Sequence, residues 1–232
     1  MYMILIIGAI FEEFSSIIEK LALTPNNRYP YLTIYEYNNV VIAISNVGLT
    51  NSTIAITTLL KDYPITTVYN ISSATSLKLK ILPLVVTIVQ KATYICVNNQ
   101  NLGYLPGQIP GEQVNFTSNY DLMTNVSQLI DCDNFVNIGS GGTIICQKVQ
   151  YDYIRTNFNS TIDIVDMECT ALFHTSSKFN VPIVAIKVIS DQVKVVKYNR
   201  STTPSQLVRN LPEVRTKIAE ICLKIIKYHY PS

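Results

Sequence analysis

The run Val181-Pro182-Ile183-Val184-Ala185-Ile186-Lys187-Val188-Ile189 constrains the fold more than any other stretch of the chain. It is apolar and β-branched on both faces of a two-residue repeat, with one lysine inside it. A strand of this kind has to be covered on both sides, as in the parallel or mixed sheets of α/β proteins. It ends on Ser190-Asp191, and a carboxylate at the end of a buried strand stands where such sheets meet their ligands. Alone, Asp191 is as well read as the cap of a following turn.

Shorter runs of the same character recur at 3–7, 66–71, 84–89, 135–140 and 162–165. Between them lie stretches with helical spacing at 14–23, 52–60, 119–129, 150–157 and 169–178. Two strands at 32–37 and 40–45 flank Asn38-Asn39 and predict a hairpin. The run Ser72 to Ser76 reads as the loop that ends the 66–71 strand, and 96–119, with Gly103, Pro106, Gly107, Pro110 and Gly111, as loop throughout. After Asp191 a polar loop reaches Thr203. Pro204 then suits a helix first turn, and Pro212 is expected to break that helix. Val214, Ile218, Ile221 and Ile225 mark the apolar face of the last one. Strands alternating with helices predict an α/β fold, a central mixed β-sheet flanked by helices, in one domain spanning 1–232.

Composition closes off several functions. The 18 basic and 16 acidic residues leave a net charge of +2 with no basic stripe, so no nucleic-acid partner is expected. Lys187, Lys194, Lys197 and Arg200 form the densest basic patch and read as a solvated loop face. The five cysteines, Cys96, Cys132, Cys146, Cys169 and Cys222, are scattered and contain no C-x-x-C pair, which suits a reducing, cytoplasmic setting. With only His174 and His229, no metal site is expected. No apolar run is long enough to span a bilayer, and Met1 to Ile7 reads as a first strand rather than a leader. The Asn-x-Ser/Thr sequons are accordingly read as chance.

Three further motifs carry chemistry: Gly8-Ala9-Ile10-Phe11-Glu12-Glu13, Gly107-Gln108-Ile109-Pro110-Gly111 and Val165-Asp166-Met167-Glu168-Cys169-Thr170-Ala171. Together with Ile189-Ser190-Asp191, and in this order, they resemble the nucleoside phosphorylase superfamily, and within it the 5′-methylthioadenosine/S-adenosylhomocysteine nucleosidases. The likeness runs over nearly the whole chain. It implies hydrolysis of an adenine N-glycosidic bond in a small purine nucleoside, with no cofactor, by a homodimer. By position, Asp191 corresponds to the general acid that protonates adenine N7, and Glu13 to the group that activates water. Glu168 corresponds to the acid that holds the ribose hydroxyls, Met167 to the residue packed on the sugar, and Ser73 to a serine near Glu13. Ile145 stands where the backbone reads the adenine edge, and Ile144 replaces an aromatic stacker.

The residue types suit the reaction without the resemblance. Cleaving a glycosidic bond develops positive charge on the sugar, which carboxylates stabilise, and the acid and base roles divide between two carboxyl groups. The chain departs from the pattern in places. The family's G-S-A-G-G is Ser72-Ser73-Ala74-Thr75-Ser76, which is expected to bring bulk towards the ribose and base. Ser-Gly-Asp is Ser140-Gly141-Gly142, and Lys187 stands where an arginine is usual. Two other readings stay open: a phosphate-dependent phosphorylase, disfavoured because Gly8-Ala9 and Val47-Gly48 carry no arginine, and a non-catalytic nucleoside-binding or interaction protein.

Overall fold

A computed structural model describes residues 2–145, 147–193 and 204–231. Cys146 and the loop residues Lys194, Lys197, Asn199 and Arg200 lie outside the described residues. The chain runs β1 (Met3–Gly8), α1 (Phe11–Lys20), β2 (Asn26–Tyr29), β3 (Leu32–Tyr37), β4 (Val40–Ile44), α2 (Leu49–Asp62), β5 (Ile65–Ser76) and β6 (Val86–Tyr94). It continues with a 3₁₀ turn (Gln100–Leu102), β7 (Phe116–Thr117), α3 (Tyr120–Ile130), β8 (Phe135–Ser140), α4 (Lys148–Asn157), β9 (Ile164–Asp166), α5 (Cys169–Phe179), β10 (Ile183–Gln192) and α6 (Pro204–His229).

The sheet has an open wing and a closed part. β2, β3, β4 and β1 lead into β5, with β1 parallel to both β4 and β5. From β5 the pairing divides: β5 lies parallel to β10 and antiparallel to β9. β10 pairs with β6, β6 with β8 and β8 with β9, so these five strands close on themselves as a barrel. β5 is the seam between wing and barrel. That position explains why it carries so many of the site's contacts.

Helices cover both faces, as the strand composition requires. On one face Ala55, Ile56 and Leu59 of α2 and Leu172 and Phe173 of α5 pack on Leu5, Ile7, Val68 and Ala185. On the other, Phe14 and Ile17 of α1, Val126 of α3 and Val214, Ile218 and Ile225 of α6 pack on Ile6, Ile42, Tyr69 and Ile186. A smaller cluster around Ile145, Ile154 and Phe158 sits under α4.

The fold is the mixed α/β sheet that the sequence predicts, and the hairpin and the 135–140 strand fall where expected. Six local readings are corrected. α1 starts at Phe11 rather than 14, which puts Glu12 and Glu13 in its first turn. Asn26–Tyr29 adds an unforeseen edge strand, and 96–119 contains a 3₁₀ turn and β7. β10 runs through Asp191 to Gln192. The run Ser72 to Ser76 is the second half of β5, because β9 and β10 flank it and satisfy its backbone. Finally, α6 continues through Pro212. A proline inside a helix costs about 3 kcal/mol, and the buried face from Val214 to Ile226 outweighs it.

Candidate active site

Two of the acidic side chains singled out in the sequence, Glu13 and Asp191, meet on the second half of β5. Glu13, in the first turn of α1, is 2% exposed, and its Oε1 accepts the Ser73 backbone N–H at 2.8 Å. Its Oε2 is buried with no hydrogen-bond partner. Burial raises the Glu13 carboxyl above its ordinary range, partly offset by the Ser73 bonds and the Lys187 cation. Two residues further along β5, Thr75 Oγ1 donates to Asp191 Oδ1 at 2.9 Å, and Ser190 Oγ donates to the same oxygen at 2.6 Å. Asp191 is buried, at the end of β10.

Glu168 stands between β9 and α5, and its Oε1 accepts the Gly48 backbone N–H at 2.8 Å. Gly48 is the residue before α2, with φ of 106°, a conformation open to glycine at little cost. Glu168 is thus held at the N-terminus of α2, where helix amides and dipole favour negative charge. Burial, and then the neighbouring Asp166 carboxylate, push the Glu168 carboxyl up to about 7. Met167 precedes it, half-buried, with its N–H 3.3 Å from Glu168 Oε2.

Beneath these acids lies a network that sequence reasoning missed. Lys187, inside β10 and fully buried, donates to Ser72 Oγ at 2.6 Å and Asp166 Oδ2 at 2.8 Å. Asp166 Oδ1 also accepts Ser140 Oγ–H at 2.6 Å, and its carboxylate takes the N–H groups of Glu168 and Cys169 as α5 begins. Asp166 therefore satisfies amides at the start of α5 and fixes the backbone that presents Glu168. The sequence alone places this lysine in a solvated basic patch. It is instead the buried cation of this site, facing Asp166 within a pair 0% and 3% exposed at the side chains. The available signal was a lone lysine in an otherwise apolar strand, which needs a buried anion.

The adenine-side candidates part company. Ile145 is buried and lines a cleft of about 280 Å³ with Ile95, Cys96, Gly141, Thr143, Val149, Gln150, Tyr153 and Ile154. Ile144 is 65% exposed and is not part of that lining. A second cleft, of about 260 Å³, opens where the turns after β1 and β4 meet, lined by Ala9, Ile10, Phe11, Glu12, Thr33, Ile44, Asn46 and Val47. Among the described residues no group of three or more His, Cys, Asp or Glu side chains is arranged to hold a metal.

Buried carboxyl groups gathered where the strands of a doubly covered sheet end define a site for a small polar ligand, and the family comparisons agree on its class. The chain belongs to the phosphorylase superfamily, whose family model matches residues 3–227. Within it, the chain is 33% identical over 199 residues to the 5′-methylthioadenosine/S-adenosylhomocysteine nucleosidase of Buchnera aphidicola subsp. Baizongia pistaciae, covering 82% of this chain and 78% of that one. It is 29% identical over 197 residues to the nucleosidase of the same name from Staphylococcus carnosus, covering 82% and 86%. The fold matches the crystal structure of the Neisseria meningitidis nucleosidase in complex with methylthio-immucillin-A, with a TM-score of 0.87, 20% identity and coverage of 97% and 99%.

Proposed function

We propose that this protein hydrolyses the N-glycosidic bond of 5′-methylthioadenosine, S-adenosylhomocysteine or a closely related purine nucleoside, releasing adenine. The observation that carries the reading is the pairing of two buried carboxyl groups, Glu13 and Asp191, on Ser73 and Thr75 of one strand. Asp191 gives its proton to N7 of the purine. The C1′–N9 bond then breaks with its electron pair going to the base, and positive charge develops on the ribose. Glu13, its carboxyl raised above the ordinary range by burial, takes a proton from the water that adds to C1′. Glu168 receives the ribose hydroxyls, Met167 packs on the sugar, and Ser73 orders the water beside Glu13. The backbone at Ile145 meets the adenine edge. The reading carries with it a homodimer, a cytoplasmic setting and a single nucleoside phosphorylase-like domain. No helix among the described residues is long and apolar enough to cross a membrane.

Hydrolysis is favoured over phosphorolysis by one contact. A phosphate co-substrate needs an anion site, for which backbone amides at a helix N-terminus serve, and at the start of α2 the Gly48 N–H already donates to the Glu168 carboxyl. The test is adenine release from methylthioadenosine by purified protein, with and without inorganic phosphate, beside the Asp191→Asn variant. Release independent of phosphate, lowered about 10²–10⁴-fold in the variant, is expected. Release that requires phosphate would transfer the protein to the phosphorylase reading, and absence of release would leave a binding protein.

A further inference from the structure

Thr75 does something the resemblance gives no reason to expect, since the family pattern over this run has glycine in its place. The β5–β10 pairing shifts register here: Ile189 pairs with Ala74 and Asp191 with Thr75, which makes Ser190 the extra residue of a bulge. The bulge brings two hydroxyls onto one oxygen. Ser190 Oγ–H and Thr75 Oγ1–H both donate to Asp191 Oδ1, at 2.6 and 2.9 Å. The bulge is itself held from α6, whose Asn210 side chain donates to the Ser190 carbonyl at 2.6 Å.

A single hydroxyl on a carboxyl oxygen fixes a direction, whereas two from different strands fix the plane of the group. They also decide where a proton sits. An oxygen accepting two hydrogen bonds is the less basic one, so the proton of a neutral Asp191 resides on Oδ2. We propose that Thr75 is a positioning residue: with Ser190 it clamps Oδ1 of Asp191, so that Oδ2 carries the proton delivered to the departing purine. The proposal rests on the nucleosidase reading above. In the step itself the Oδ2–H bond breaks as N7–H forms, the C1′–N9 electron pair passes to the base, and Asp191 is left as the carboxylate. Thr75 exchanges no proton. It thereby converts what the sequence suggested was bulk near the substrate into a second donor to the acid.

The experiment compares wild type, Thr75→Val, which keeps the shape and loses the hydroxyl, and Thr75→Ser, which keeps the hydroxyl. Each is assayed on methylthioadenosine and on the 5-methylthioriboside of p-nitrophenol, a leaving group that departs without a proton. The ratio of purine to nitrophenyl cleavage is expected to fall roughly 10-fold in Thr75→Val, the size of one charge-assisted hydrogen bond. On methylthioadenosine the loss should fall on kcat with KM unchanged, and Thr75→Ser should restore it. An unchanged purine rate in Thr75→Val, an equal loss on both substrates, or no recovery in Thr75→Ser each overturns the clamp while leaving the nucleosidase reading intact. No adenine release by wild type from methylthioadenosine or S-adenosylhomocysteine overturns both.

Discussion

Lys187 shows how much a single side chain can organise. Taking an ammonium group fully out of water is costly, and burial alone pushes its pKa down. The Asp166 carboxylate, together with the neighbouring Cys169 and Glu168, outweighs that and holds the amine up at about 12, firmly charged. Removing one partner of such a pair is worse than removing both, because the survivor is left buried and uncompensated. Lys187→Met is therefore expected to cost about 3–5 kcal/mol of stability, and Lys187→Met with Asp166→Asn distinctly less than the two singles added. Urea unfolding of the four proteins gives the answer directly, and strict additivity would show that the 2.8 Å contact is energetically idle.

At the scale of elements, α6 shows which rule wins when two compete. The local rule says that proline ends a helix, yet Pro212 lies inside 26 continuous helical residues. The apolar face from Val214 to Ile226 is anchored on the sheet, and burial of that face sets the helix. Truncating its centre, Ile218→Ala, is expected to destabilise by about 2–5 kcal/mol, measured as a lowered thermal midpoint. A loss below 1 kcal/mol would mean that α6 is held elsewhere. The same competition explains what the sequence could and could not disclose. The β3–β4 hairpin, β8 and the buried face of α6 were legible because periodicity and turn residues are local signals. The second half of β5 was not, since Ser72, Ser73, Thr75 and Ser76 look like a turn until β9 and β10 are placed beside them. Glu13, Glu168 and Asp191 were legible as acids in a familiar order. Asp166, Lys187 and Thr75 were not, because the side-chain partners that define their roles lie 21 to 116 residues away and depend on strand register.

For the whole molecule, gathering acids in one buried site ties stability to pH. The Glu168 carboxyl sits at about 7 in the folded protein, against roughly 4.3 in an unfolded chain. Between those values the folded state binds a proton that the unfolded state does not, so this group's contribution falls as pH rises through the window. Its slope is at most about 1.4 kcal/mol per pH unit, and it vanishes above the folded value. Glu13, also raised by burial, acts in the same direction. Glu168→Gln keeps the shape and an oxygen for the Gly48 N–H while removing the titration. The stability of Glu168→Gln relative to wild type should therefore improve steadily from pH 4.5 to 7 and then level off. Thermal unfolding of both proteins across that range, in one buffer series at constant ionic strength, measures the difference. A difference that does not move with pH would mean that Glu168 keeps an ordinary carboxylate pKa, and that a neighbour supplies the charge compensation its burial demands. Lys187 is the nearest source of that charge, since the same cation that neutralises Asp166 also lowers Glu13 and Glu168. Repeating the comparison in a Lys187→Met background, where it folds, should then extend the pH-dependent window above 7, because one cation is at present shared among three buried acids.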